Sequence, residues 1–205
     1  MITIAPSQDP MQPRVLAGIV ALTAFGALAV QTTLGDGSVP ENAAGLARFF
    51  TIWSNIGTAV VMALAASGRA IPRGVLAALV TALTVVAVVY WTLLATDHHP
   101  VGLDRYTNQV FHTIVPVAVL VWWFRFVEPA PAILPMVPAI MVPPLAYGAF
   151  AYLLGEFTGF YAYFFLDLPR MGWVNFLISN ALLAAFFGML GATLVAIKRA
   201  IWRGR

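Results

Sequence analysis

Apolar residues along this chain come in long blocks broken by short polar links, and neither a strand alternation nor a narrow amphipathic stripe persists through them. A helix crossing a bilayer needs roughly 20 mostly apolar residues. Six blocks reach that length, at about 14–34, 46–67, 73–95, 106–126, 133–154 and 171–197. The links between them are turn and breaker compositions: Gly35-Asp36-Gly37-Ser38, Ser67-Gly68-Arg69 with Pro72, Asp97-His98-His99-Pro100, and Glu128-Pro129-Ala130-Pro131. Such short links make neighbouring helices antiparallel. The pattern predicts an all-α protein, an integral membrane bundle of six transmembrane helices forming a single domain over residues 1–205. The fifth block carries Pro135, Pro138, Pro143 and Pro144, so a kinked or broken helix is expected there.

Composition sharpens this picture. Of 205 residues, 61% are hydrophobic and 9% charged, which excludes a water-soluble domain. The net charge of +3 does not imply a nucleic-acid partner, because the basic residues are spread over links and the C-terminal end. They are read as topology signals and contacts to anionic lipid. With six spans, both termini share a side with the second and fourth links. That side holds Arg14, Arg69, Arg73, Arg125, Lys198, Arg199, Arg203 and Arg205, eight of 11 basic residues, against Arg48, Arg105 and Arg170 opposite. The positive-inside rule then predicts that both termini are cytoplasmic, in a multi-pass protein of a bacterial inner membrane with membrane lipids as partners. Residues 1–12 are polar, and the apolar run after them is too long for a signal-peptide core, so it is expected to be the first span. Cysteine is absent, which removes disulfide and thiolate chemistry.

Candidate chemistry sits in the second and fourth blocks. Asn108 and His112 stand four apart and share a helix face, and an ionisable group within a span is a functional candidate. In the second block Arg48, Thr51 and Asn55 fall at i, i+3 and i+7, again one face. Counted from the outer ends of their blocks, Thr51 lies roughly 8 Å deep and His112 roughly 9 Å, at 1.5 Å per residue. Two polar groups on different helices thus share one level. A threonine hydroxyl is a nucleophile only when a base takes its proton, and a neutral histidine is the usual base. Asn108 or Asp167 can orient the imidazole, while Asn55, Asn108 and Arg48 are candidate donors to an oxyanion. The fifth link, Tyr161-Ala162-Tyr163-Phe164-Phe165-Leu166-Asp167, is either an aromatic interface loop or a lid placing Tyr161, Tyr163 and Phe165 over the bundle mouth.

Other polar and aromatic groups carry structural readings. Adjacent His98 and His99 beside Asp97 point apart and lack the i, i+4 pairing of helical zinc sites, so no metal is expected. Tyr90, Trp91, Trp122, Trp123 and Trp202 are read as aromatic-belt anchors, and Asn175, Ser179 and Asn180 as interhelical hydrogen-bonding residues.

The segment Arg48-Phe49-Phe50-Thr51-Ile52-Trp53-Ser54-Asn55, together with Asn108-Gln109-Val110-Phe111-His112-Thr113, resembles the androgen-induced-gene and androgen-dependent tissue-factor-pathway-inhibitor-regulating family of six-helix membrane hydrolases. A group of bacterial six-span relatives shares the Phe-Thr-x-x-Ser-Asn and Asn-x-x-x-His elements and the aromatic loop at 161–167. Gln109 departs from the histidine of animal members, and Ala162 from a proline frequent in the bacterial ones. The resemblance implies Thr51 as nucleophile, His112 as base, and fatty acid esters of hydroxy fatty acids or similar lipid esters as substrates. No cofactor or metal is implied. The alternative left open is a non-enzymatic small transporter or lipid-binding scaffold with a polar His112, Asn108 and Arg48 network.

Overall fold

A computed structural model describes residues 11–203, and the readings that touch residues 1–10 and Arg205 lie outside them. Among the described residues there are helices and no strands. They are α1 (Met11–Gln31), α2 (Val39–Leu46), α3 (Phe50–Ala66), α4 (Arg73–Leu94), α5 (Gly102–Phe126), α6 (Leu134–Thr158) and α7 (Leu168–Arg203). Five are long and apolar enough to cross a membrane, and the number is six if α2 and α3 count as one bent span. The bundle's outer faces are themselves apolar, with Leu22 73%, Phe25 65% and Leu182 66% exposed. Extended apolar surface of this kind marks a lipid-facing belt.

The central helix is α4, which packs against α3, α5, α6 and α7 and is buried on most of its circumference. On one side, α1 packs closely on α3, with Gly18 facing Ala66 and Ala17, Ala21 and Ala24 buried in the same core, small residues of the kind that let backbones approach. On the other side, α4, α6 and α7 meet at Gly191, where an added Cβ would lie 2.7 Å from Ile140 and 2.9 Å from Thr81. Only glycine fits at that crossing.

Several sequence expectations are corrected here. The continuous helix expected over 46–67 bends by 104° between α2 and α3, so Arg48 falls in the turn and leaves the face that carries Thr51 and Asn55. The short α2 is polar and separately anchored: Ser38 and Glu41 close a capping box, and the Asn42 amide donates to the carbonyls of Thr32, Gly35 and Gly37. In α6 the prolines do not break the helix. Pro138 occupies the first turn of the α-helical part, Val137–Thr158, where its missing N–H costs nothing, and Pro143 and Pro144 lie inside a helix that runs on to Thr158. The last helix reaches Arg203, with its own break at Gly172, where φ is 71°.

The tryptophans at the end of α5 are not belt anchors. Trp122 and Trp123 are buried, and the Trp122 indole donates to the Pro13 carbonyl at 2.8 Å. Lys198 is also buried there, donating to the Trp123 carbonyl with its ammonium 4.0 Å from the Trp123 ring centre. A cation at the C-terminus of α5 complements the helix dipole and satisfies a terminal carbonyl. Arg14 lies against Gly68, Arg73 pairs with Glu128 at 3.0 Å, and Arg199 donates to the Ala130 carbonyl. These contacts gather the basic residues at one end of the bundle. The candidate residues lie at the other.

Candidate functional site

Two π-helical turns shape the site. One covers Tyr90–Leu94 near the end of α4, and the other covers Val110–Ile114 in α5. Pro116 accounts for the second: it has no N–H for the carbonyl four residues back and its ring would crowd that carbonyl, so one extra residue in the turn relieves the helix. Turns of this type recur at functional sites because they re-aim side chains. Here the two lie side by side, the Trp91 indole donating to the Thr113 hydroxyl at 3.1 Å.

His112, in the second of these turns, is buried, and its Nδ1 lies 3.0 Å from the Asn108 carbonyl. A carbonyl only accepts, so Nδ1 carries the hydrogen in the neutral ring and Nε2 presents a lone pair. That Nε2 is 3.3 Å from the Thr51 hydroxyl oxygen. Tyr90 lies parallel to the imidazole, ring centres 3.8 Å apart at 20°. The Tyr90 hydroxyl accepts from the Asn108 amide at 2.7 Å and lies 3.3 Å from His98 Nδ1. Asn108 therefore orients the imidazole through its backbone carbonyl, and its side chain fixes Tyr90; the expected amide-to-imidazole contact is absent. Gln31 closes the wall, its amide donating to Asp104 at 2.9 Å and its oxygen accepting from Thr107.

Thr51 is the second residue of α3, a consequence of the α2–α3 bend. Its hydroxyl thus sits at a helix N-terminus, where unpaired amides and the dipole favour negative charge. Tyr163 lines the same two hollows as Thr51, with its ring against the edge of Phe49, the residue that precedes α3. Lost hydration pushes the Tyr163 phenol above its ordinary value, so it remains a donor. Tyr163 is held by stacking on Phe165 at 5.1 Å, by the edge of Phe49, and by Tyr147, whose hydroxyl donates to the Arg48 carbonyl at 2.8 Å.

The remaining candidates are placed differently. Arg48 turns outward, its guanidinium 4.9 Å from the Phe160 ring centre. Asn55 is fully buried one turn beyond Thr51, where its amide donates to the Thr51 carbonyl at 2.9 Å and its oxygen has no partner. Tyr161 packs on Gly155 and donates to Glu156 at 3.2 Å, so it buttresses the loop from outside. Asp167 does not approach His112; its carboxylate accepts from the Arg170 amide at 3.1 Å and caps α7. Ser179 donates to the Phe165 carbonyl, while Asn175 and Asn180 bond to carbonyls of their own helix. Sequence reading missed Tyr90, Tyr147 and the structural use of His98. Among the described residues no group of three or more His, Cys, Asp or Glu is placed to hold a metal ion.

Three hollows meet at these residues. A vestibule of about 460 Å³ exposes both Thr51 and His112 and is lined further by Gln31, Asp97, His98 and Asp104. It shares Gln31, Leu46, Phe49 and Asp104 with an outer hollow of about 660 Å³ that carries Arg48 and Glu41. A narrow apolar slot of about 70 Å³, also lined by Thr51 but not by His112, lies between α4, α6 and α7. Neither a protein-family model, nor a curated protein, nor a solved structure matches the chain.

Proposed function

We propose that the protein is an intramembrane lipid ester hydrolase in which Thr51 is the nucleophile and His112 the general base. The observation that carries this reading is the 3.3 Å approach of His112 Nε2 to the Thr51 hydroxyl, from two different helices, at the wall of one cavity. A neutral imidazole with its Nδ1 hydrogen held by a carbonyl is the form that takes a proton.

In the first half-reaction His112 removes the Thr51 proton as the oxygen attacks the ester carbonyl carbon. The oxyanion develops in the first turn of α3, where the helix dipole favours negative charge and Tyr163 lines the same cavity. Collapse breaks the bond to the alcohol oxygen, which leaves with the proton held by His112. The acyl-threonine is then attacked by water from the vestibule, His112 again accepting the proton and returning it to Thr51. This sequence uses groups of the chain and water alone.

The gathering of basic residues at the far end supports an orientation with that end cytoplasmic. The site then opens to the outer face, where ester chains lie in lipid and water is at hand. A transport path would need polar groups continuing through the bundle. Between the site and the basic end the core is instead Leu79, Leu83, Val115 and Val119, and the buried Thr58 and Thr81 hydroxyls are spent on carbonyls of their own helices. That supports hydrolysis over conduction.

A fluorophosphonate probe tests the proposal. An adduct on Thr51 in the detergent-solubilised full chain, absent from a folded His112→Ala variant, is the expected result. Labelling elsewhere only, or equal labelling of the variant, would overturn it.

A further inference from the structure

The two hollows that meet at Thr51 differ in size, polarity and access to His112, and that difference assigns the two halves of the substrate. This inference rests on the ester hydrolase reading. Thr51 lines both hollows, whereas His112 lines the vestibule alone. The departing alcohol oxygen takes its proton from His112, so the alcohol must lie on the histidine's side. The acyl carbon bonded to Thr51 then points its chain the other way, into the slot.

That slot runs along α4 from Leu94 to Val85, with Phe50, Tyr147, Gly148 and Phe187 around it. Its free space of about 70 Å³ holds five or six water-sized groups at roughly 10–15 Å³ each. Its lining is apolar apart from a few hydroxyls and Asn180, so a hydrocarbon chain fits and a charged or polyhydroxylated one does not. The vestibule is several times larger and offers Gln31, Asp97, His98 and Asp104, and it continues into the outer hollow at Arg48. We infer that the enzyme selects esters with a short, apolar acyl half of about four to six carbons, by the same space requirement, and a larger, polar-headed alcohol half held in the vestibule. A long chain in a natural substrate belongs to the alcohol.

Gly148 offers a direct probe, because a Cβ built there meets nothing within 4 Å. Leucine at this position fills the slot without displacing a neighbour, and in a helix it replaces glycine favourably. Phe187→Ala has the opposite effect and deepens the slot. The experiment measures kcat/KM of the full chain in detergent on p-nitrophenyl acetate, butyrate, hexanoate and laurate. Wild type is expected to favour butyrate and hexanoate over laurate at least tenfold. Gly148→Leu should lower the hexanoate-to-acetate ratio at least tenfold, and Phe187→Ala should raise the laurate-to-hexanoate ratio.

An unchanged hexanoate-to-acetate ratio in Gly148→Leu, or a wild-type preference for laurate, overturns the inference while leaving the hydrolase reading standing. If wild type and Thr51→Ala cleave every ester at the same rate, the hydrolase reading itself fails and the inference falls with it.

Discussion

Tyr90 lies flat on His112, ring centres 3.8 Å apart, and its hydroxyl is fixed at both ends by Asn108 and His98. The stack sets the plane in which Nε2 faces Thr51. Aromatic pairs contribute about 0.5–1.5 kcal/mol beyond burial. Tyr90→Phe keeps the stack and loses only the hydroxyl bonds, so kcat is expected to fall a few-fold, with KM little changed. Tyr90→Ala frees the imidazole and should lower kcat at least tenfold. Steady-state kinetics on one ester checks both, and equal effects of Phe and Ala would contradict positioning by the ring.

In the proposed reaction Tyr163 is the side-chain hydroxyl donor to the developing oxyanion. Removing one such donor typically costs about 10²–10³ in kcat, and Tyr163→Phe is expected to fall in that range while retaining the packing on Phe165 and Phe49. Its pH behaviour follows from the sign of the shift. A phenol whose pKa is raised stays protonated as pH climbs through its ordinary value, so the donor is lost only above about pH 10, the ordinary tyrosine value. The kcat profile of the wild type should therefore show no alkaline fall below that point, which a pH series in a non-ionic detergent measures.

The loop that brings Tyr163 inward leans on Gly155. A Cβ at this position would collide with the Tyr161 ring, so Gly155→Ala must displace that ring from its seat and loosen the support it gives the 160–167 segment. Loss of at least tenfold in kcat/KM with little change in thermal stability is the expected outcome. Full activity would mean that Tyr163 is held without Tyr161.

A purely structural counterpart is Gly191, where α4, α6 and α7 cross. Overpacking a tight site costs about 1–3 kcal/mol. Gly191→Val should lower the melting temperature in detergent by several degrees, and an unaltered melting temperature would contradict the close crossing.

The reach of the sequence differs residue by residue. Block lengths and links were enough to find the long apolar helices, because bilayer thickness dictates them. Thr51 and His112 meet even though the depth argument assumed a continuous second helix. The real helix starts at Phe50 after a 104° bend, and that bend puts Thr51 at a helix N-terminus while sending Arg48 outward. Nothing in the apolar pattern distinguishes a bend at residues 47–49 from an unbroken span. Asn108 was legible as the partner of His112, although it acts through its carbonyl rather than its amide. Tyr90, read as a belt anchor, stacks on a ring of another helix, a contact that no periodicity within one helix can register. Asp167 was misplaced because a loop carboxylate next to a helix start has a local partner, the Arg170 amide, that outcompetes a distant imidazole.

The central claim is that Thr51 supplies the attacking oxygen. The most direct test is ester hydrolysis by the detergent-solubilised full chain beside Thr51→Ser and Thr51→Ala, with each variant shown to be folded by its melting temperature. Serine keeps a hydroxyl 3.3 Å from His112 and should retain measurable turnover, and alanine should reduce turnover to the background of buffer and detergent. Alanine turning over at the wild-type rate would remove Thr51 from the chemistry.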